Sequence, residues 1–264
     1  MGVTEQAFAT LEVRTEGPIA IVALNRPDAL NAVSMGLLAD LQALFGAIDD
    51  DPEVWVVVLH GNGRSFSVGA DLKERAGMTL EEVRRRRRIA PSAYGAVAGC
   101  TKPVVGAVHG FALGGGFELA LCCDLLIAAE GTQFALPETH LGVIPAGGGT
   151  QRLTRLIGPA RAKELIFTAR RFGTDLALDW GIISRTTPPD DLLPTALELA
   201  REVATNAPIG LQQAKKAINA ALDLDLRAGI AFEAEAYQTC LTTADRNEGL
   251  AAAREKRPPR FIGS

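Results

Sequence analysis

Residues 109–120 read His109-Gly110-Phe111-Ala112-Leu113-Gly114-Gly115-Gly116-Phe117-Glu118-Leu119-Ala120. The β-branched stretch Pro103–Val108 leads into them as a strand, and an apolar helix over Phe117–Cys123 leaves them. Three consecutive glycines strip every side chain from the helix entrance. The first N–H groups of a helix have no intrahelical partner and carry the positive end of its dipole. With no Cβ in the way, a ligand oxygen can reach them. Strand, glycine turn and helix make one unit of an α/β fold, and this unit suits developing negative charge. Glu118 falls in the first helical turn. Alone, it reads as a surface acid beside the dipole; yet Phe117, Leu119, Ala120, Leu121, Cys122 and Cys123 around it are apolar. A carboxyl buried among them has a raised pKa that suits acid–base work.

Upstream, Leu11–Leu24 reads as a hairpin turning at Glu16-Gly17-Pro18. Ser34 caps a helix running to about Ile48, and Val54–Leu59 has the continuous β-branched texture of a strand buried on both faces. In Ser65-Phe66-Ser67-Val68-Gly69-Ala70-Asp71-Leu72-Lys73, Gly69 permits a turn that could present the Ala70 amide as a second donor. Asp71 suits a helix cap, and Lys73 meets either a phosphate or solvent. A polar helix follows over Thr79–Ala98. Downstream come strands Leu125–Ala129 and Gln133–Leu136, a second glycine-rich loop Gly142–Gly149, and helices Thr150–Leu156 and Ala160–Ala169. Glu138 follows Pro137, where a strand gives way to a loop. By itself it is as much a loop or capping acid as a functional one. After Pro188-Pro189 only helical patterns remain, at Leu192–Ala204, Ile209–Ala221 and Gly229–Thr239, so the chain divides into an α/β core, 1–190, and a helical region, 191–264.

Composition narrows the function. The 264 residues are 47% hydrophobic but only 5% aromatic, which fits a core of small residues at close helix–strand contacts. A net charge of −4 and the acidic stretch Asp49-Asp50-Asp51 argue against a nucleic-acid partner, so an anionic substrate must be met by local cations or amides. Neither glycine-rich stretch has the spacing of a phosphate-binding P-loop or a dinucleotide fingerprint. Cys100, Cys122, Cys123 and Cys240 form no CxxC pair and have no histidine cluster beside them, so no metal site is expected. The first ten residues lack the pattern of a secretory leader, and no stretch approaches the ~20 apolar residues of a membrane span. The expected setting is a bacterial cytoplasm or an organelle matrix.

Three segments together carry a family likeness: Gly69-Ala70-Asp71 with Lys73, Ala112–Ala120, and Pro137-Glu138 leading to Pro145–Leu153. They resemble the crotonase (enoyl-CoA hydratase/isomerase) superfamily, as do Leu24-Asn25-Arg26-Pro27 and Ala29-Leu30-Asn31-Ala32, in order over almost the whole chain. The resemblance implies a spiral of ββα units with a C-terminal helical region that forms trimers, often paired as hexamers. It implies an oxyanion hole from the backbone N–H groups of Ala70 and Gly115, and two glutamates, Glu118 and Glu138, that hold and activate one water. One of them takes a proton from the water and the other delivers one to C2; Glu118 as base and Glu138 as acid is the favoured split, and the sequence leaves the reverse open because the pair shares one water. Acyl-CoA binding falls on Ala70, Asp71, Leu72, Lys73, Gly115 and Lys256, the last reaching in from a neighbouring subunit. The coenzyme A thioester is the substrate, with no cofactor and no metal. Because both acids are present, hydration of a 2-enoyl-CoA in fatty-acid or branched-chain amino-acid breakdown is favoured over the sister reactions of the superfamily. Asp28 departs from the pattern, since many relatives carry a basic residue there.

Gly69–Met78, Ala162–Arg170 and Glu255–Phe261 look most like the methylglutaconyl-CoA hydratases within that superfamily. Those enzymes accept an acyl chain ending in a second carboxylate, which makes Arg75 and the run Arg84-Arg85-Arg86-Arg87-Arg88 candidate cations. At roughly 100° per residue, five helical arginines point all round the axis, so at most one or two can leave solvent. The subgroup also contains an RNA-binding member, a reading that the acidic balance disfavours.

Overall fold

A computed structural model of the chain describes Val3 and residues 6–264. The leader expectation for residues 1–10 falls partly on Met1, Gly2, Thr4 and Glu5, outside the described residues. β1 (Leu11–Glu16) and β2 (Ile19–Leu24) form the expected antiparallel hairpin, with Leu11 opposite Leu24 and Gly17 in the turn at φ +55°. From β2 onward every pairing between the named strands is parallel. β3 (Val56–Gly61), β4 (Val104–Val108), β6 (Leu125–Ala129) and β8 (Arg185–Thr187) complete a six-stranded sheet in the order β1-β2-β3-β4-β6-β8.

Parallel neighbours need crossover helices, which cover both faces of the sheet. The strands obey this residue by residue. Ala20, Val22, Leu24, Val57 and Leu59 pack with Leu37, Leu41, Leu44 and Phe45 of α1 (Met35–Asp50) on one side. Ile19, Ile21, Val56 and Val58 pack with Leu192, Ala196 and Leu199 of α8 (Leu192–Ala204) on the other. Alternation thus sorts one apolar run into two cores, each full side chain contributing about 1.5–3 kcal/mol. The caps agree as well. Ser34 accepts from the Leu37 N–H at the start of α1, and Asp71 from the Glu74 N–H at the start of α2 (Leu72–Ala76). Thr79 and Glu82 form a reciprocal capping box at the start of α3 (Leu80–Gly99).

The site lies where a second, small layer meets the sheet. β5 (Phe111–Leu113) and β7 (Gln133–Ala135) pair in parallel, and Ser67 bridges to Ala112. β5 therefore takes part of the stretch read as a glycine turn. α4 (Gly115–Ala120) begins two residues earlier than the apolar pattern predicts, because Gly114 at φ +50° serves as its cap. Phe117 beneath it packs with Phe134 and Phe172, ring centroids 5.4 and 5.8 Å away, fixing the helix that carries Glu118. A short 3-10 turn, Glu138–Leu141, follows β7; α5 (Gly149–Ile157), α6 (Pro159–Thr168) and α7 (Thr174–Asp179) come next.

α9 (Pro208–Ala220), α10 (Leu226–Leu241) and α11 (Ala244–Glu255) end the chain. Lys215 ties α9 to the core, its Nζ donating to Asp124 Oδ2 (2.6 Å) and to the Lys102 carbonyl (2.9 Å). α7, β8 and α11 have no counterpart in the sequence reading. β8 is Arg-Thr-Thr, a three-residue strand defined only by its partner β6, and α11 buries only Asp245 and Ala252.

Candidate active site

Gly69 approaches the Leu113–Gly115 turn so closely that it tolerates no side chain, while the Tyr94 hydroxyl and the Glu138 carboxylate bar one from Gly115 and Gly114. A Cβ on Gly69 would collide with the Leu113 carbonyl oxygen and lie 3.1 Å from the Gly115 nitrogen. One on Gly115 would lie 3.9 Å from the Ala70 nitrogen. Gly69 sits at φ +84°, in the left-handed region that only glycine enters cheaply. The strand partner explains which way Ala70 points. Val33 donates to the Gly69 carbonyl (2.7 Å) and accepts from the Asp71 N–H (3.2 Å), so in this parallel bridge the Ala70 N–H faces away from it. Gly115 is the first residue of α4. Neither the Ala70 nor the Gly115 N–H has a protein acceptor among the described residues. Two amides without an acceptor therefore lie close together beside the turn.

Glu118 lies beside them and is only 4% exposed. Its Oε1 accepts from the Gly147 N–H (2.6 Å) and the Gly149 N–H (2.8 Å), at the N-terminus of α5. Burial raises its pKa above the usual carboxylate range, while the two amides oppose that rise by favouring the ionised form. Arg152 donates to the Gly147 carbonyl (2.9 Å) and so holds the loop in shape. The second glycine-rich loop is thus a cradle for Glu118.

Glu138 opens the 3-10 turn after Pro137, and its Oε1 packs against Gly114, 2.8 Å from where a Cβ would stand. Its Oε2 is buried with no hydrogen-bond partner. Burial pushes its pKa up to about 7, with a smaller push from the neighbouring Glu118 carboxylate. An orphaned carboxyl oxygen in a native site calls for a ligand or water partner. The two glutamates consequently differ in kind: one is held by amides that favour its charge, the other is unpartnered and inclined to keep its proton.

The remaining residues named from sequence divide clearly. The Asp71 carboxylate is committed to capping α2 and to Arg26 (3.0 Å), and these hold its pKa down. Leu72 and Lys73 are exposed. Lys256 ends α11 in a left-handed conformation, exposed, and no hydrogen bond or ion pair ties it to the site among the described residues. Arg75 is exposed, and its charge reaches both glutamates, partly offsetting the rise in their pKa values. Of the arginine run, Arg84, Arg85, Arg87 and Arg88 are exposed and Arg86 alone is buried, as helical geometry requires. Sequence reading misses Tyr94, whose hydroxyl donates to the Gly115 carbonyl (3.0 Å) and whose ring covers Gly147. It also misses the Gly147 and Gly149 amides as partners of Glu118. Among the described residues no three or more His, Cys, Asp or Glu side chains group in a way that could hold a metal ion.

The chain is similar to known proteins over nearly all of its length. Residues 14–264 match the family model described as enoyl-CoA hydratase/isomerase. The chain is 41% identical to a short-chain-enoyl-CoA hydratase of Clostridium acetobutylicum over 92% of its own length and 93% of that protein's. It is 36% identical to a crotonyl-CoA hydratase of Syntrophomonas wolfei, covering 97% of this chain and 99% of that one. Among solved structures, an enoyl-CoA hydratase from Bacillus anthracis superposes with a TM-score of 0.94 at 42% identity, covering 97% of this chain and 100% of that one. The expected α/β class, crotonase-like with C-terminal helices, holds.

Proposed function

The chain belongs to the enoyl-CoA hydratase/isomerase family, and on that premise we propose that it adds water across the 2,3 double bond of a 2-enoyl-CoA with Glu118 as base and Glu138 as acid. It is a hydro-lyase, and its product is a 3-hydroxyacyl-CoA. The observation that carries the reading is two glutamates whose pKa values burial raises, one held by amides and the other with an unpartnered oxygen, beside two amides without an acceptor among the described residues.

The chemistry follows from that layout. Water held between the carboxyl groups attacks C3, and Glu118 takes its proton. Electrons shift through the double bond to the thioester oxygen, where the Ala70 and Gly115 N–H groups meet the enolate charge; losing one such donor typically costs ~3 kcal/mol of barrier. Glu138 then delivers its proton to C2. Hydroxyl has gone to C3 and hydrogen to C2, and the glutamates regain their starting protonation by exchange with solvent. No step needs a metal or cofactor.

A pH dependence follows. Glu138 must be protonated, so activity falls as pH rises through its raised value of about 7. Glu118 must be ionised, so activity falls as pH drops through its own raised value. The pair titrates as a unit, and kcat/KM for crotonyl-CoA traces a bell whose alkaline limb lies near 7. A flat profile from about pH 5 to about pH 9 contradicts these roles.

The coenzyme A phosphates are met by exposed Lys73, with Lys256 contributed by a neighbouring copy in a trimer or hexamer. Supporting self-association, Ile218, Leu226, Ile230 and Tyr237 lie exposed on α9 and α10. The bacterial relatives support a cytoplasmic setting. A substrate with a distal carboxylate, as methylglutaconyl-CoA has, is a second reading that Arg75 favours: no ion pair or hydrogen bond engages its side chain among the described residues. Comparing kcat/KM for methylglutaconyl-CoA and crotonyl-CoA decides between the two.

A further inference from the structure

Helix α3 grips both halves of the amide pair. Near its start, Arg86 is 5% exposed, and its Nη2 donates to the Val33 carbonyl (2.9 Å). That same carbonyl accepts from the Asp71 N–H, and the Val33 N–H donates to the Gly69 carbonyl, so Val33 clasps the residues on either side of Ala70. Two turns further on, the Tyr94 hydroxyl donates to the carbonyl of Gly115. The two anchors are eight residues apart, with Pro91 inside the helix between them. Arg86, Ala93, Tyr94 and Val97 form the buried stripe of a helix whose other arginines face solvent.

Neither side chain suits simple packing. Burying a guanidinium is costly unless it is well paired, yet Arg86 Nη1 has no hydrogen-bond partner and meets Glu74 Oε2 only at 3.6 Å. Glu74 is itself turned toward the Met35 N–H (3.1 Å), at the start of α1. Tyr94 leaves no slack at its contact, since a Cβ on Gly115 would lie 2.6 Å from the phenol oxygen. Its ring also presses on Gly147, whose amide holds Glu118.

We propose that α3 is a positioning brace for the oxyanion hole: Arg86, acting through Val33, fixes the Ala70 arm, and Tyr94 fixes the Gly115 arm, so that one helix, with Pro91 between the two anchors, sets the separation of the two amides. Neither residue touches substrate. The brace rests on the reading of Ala70 and Gly115 as the oxyanion donors, and it gives one member of the arginine run a role that the hydration chemistry leaves unassigned.

The test uses acetoacetyl-CoA, a 3-oxoacyl thioester that loses a C2 proton to buffer and binds an oxyanion hole as its enolate, which absorbs in the near ultraviolet. Wild type, Tyr94→Phe, Arg86→Met and the double variant are compared for enolate fraction at saturation, for kcat and KM with crotonyl-CoA, and for Tm. Arg84→Ala with Arg88→Ala, both exposed, is the control. Each single variant loses about ten-fold in kcat with KM within about two-fold of wild type, part of the ~10²-fold that a 1 Å misplacement costs. The bound enolate fraction falls with it. The double variant loses less than the product of the singles, because one separation is being relaxed twice. Should Arg86→Met not fold, Arg86→Lys, which keeps a donor for Val33, retains most of the enolate band while Tyr94→Phe does not. A wild type with no enolate band contradicts the oxyanion reading itself. A wild-type band left unchanged in folded Tyr94→Phe and Arg86→Met, or lost only in proportion to unfolded protein, overturns the brace alone.

Discussion

Replacing Glu138 by Gln lowers kcat for crotonyl-CoA hydration by about 10²- to 10⁴-fold, the range that removal of a positioned general acid spans. The amide has nearly the shape of the carboxyl and keeps its contact with Gly114, but it has no proton to give C2. KM changes little, because the lost interaction is made as the enolate collapses rather than when the thioester binds. The same variant carries a second signature. The folded-state pKa of Glu138, about 7, lies above the ordinary value of 4.5, so the folded protein holds this proton more tightly than the unfolded chain. Its contribution to stability is complete below the ordinary value and is lost as pH rises through the folded one. Above that point wild type must keep a charge half-buried beside Glu118, and the glutamine variant need not. Melting curves at about pH 5 and about pH 8 therefore show the Tm of Glu138→Gln moving upward relative to wild type as pH rises. A variant that keeps its rate, or a Tm difference indifferent to pH, contradicts the placement of this carboxyl.

Gly69→Ala is the second large effect, and it strikes the amides without touching either glutamate. At φ +84° an alanine is strained whatever its surroundings, at a cost of order 1–3 kcal/mol. Its Cβ also meets the Leu113 carbonyl, a backbone atom that cannot swing aside. Either the 67–71 segment or the 113–115 turn must give way, and with it the spacing of the Ala70 and Gly115 N–H groups. A loss of about 10²- to 10³-fold in kcat is expected from the folded fraction, equal to removing one oxyanion donor. Circular dichroism and Tm separate that loss from unfolding. Gly17→Ala is the control, since Gly17 also lies at positive φ but has nothing within 4 Å of a new Cβ. It should lose stability only.

These two residues also show what a sequence can and cannot reveal. Glu118 is readable because three glycines and an apolar flank leave a carboxylate there little reason to be solvated, and the structure buries it. Strands with β-branched runs on both faces, such as β3, are equally plain, as are caps such as Ser34 and Asp71, because the interactions lie within a few residues. The Ala70 amide can be suspected from the Gly69 turn, but Glu138 acquires its weight only through pairing with Glu118 and the family likeness, since nothing local tells a loop acid from an active one. Arg86 and Tyr94 stay hidden for a different reason. Their partners, Val33 and Gly115, lie 53 and 21 residues away, and the burial of one arginine in five depends on how α3 is rotated against the core. The same distance in sequence conceals the cradle of Gly147 and Gly149 around Glu118. Local chemistry is written in short segments, whereas the setting that tunes it is assembled by packing.

One measurement bears most directly on the paired carboxyls. Purified wild-type protein is mixed with crotonyl-CoA, and loss of the conjugated thioester's near-ultraviolet absorbance is followed beside the folded double variant Glu118→Gln with Glu138→Gln. Saturable loss by wild type, yielding 3-hydroxybutyryl-CoA, with no more than background turnover in the double variant, is the predicted result. Wild-type protein that leaves crotonyl-CoA unchanged, or a double variant that hydrates it at the wild-type rate, contradicts the account.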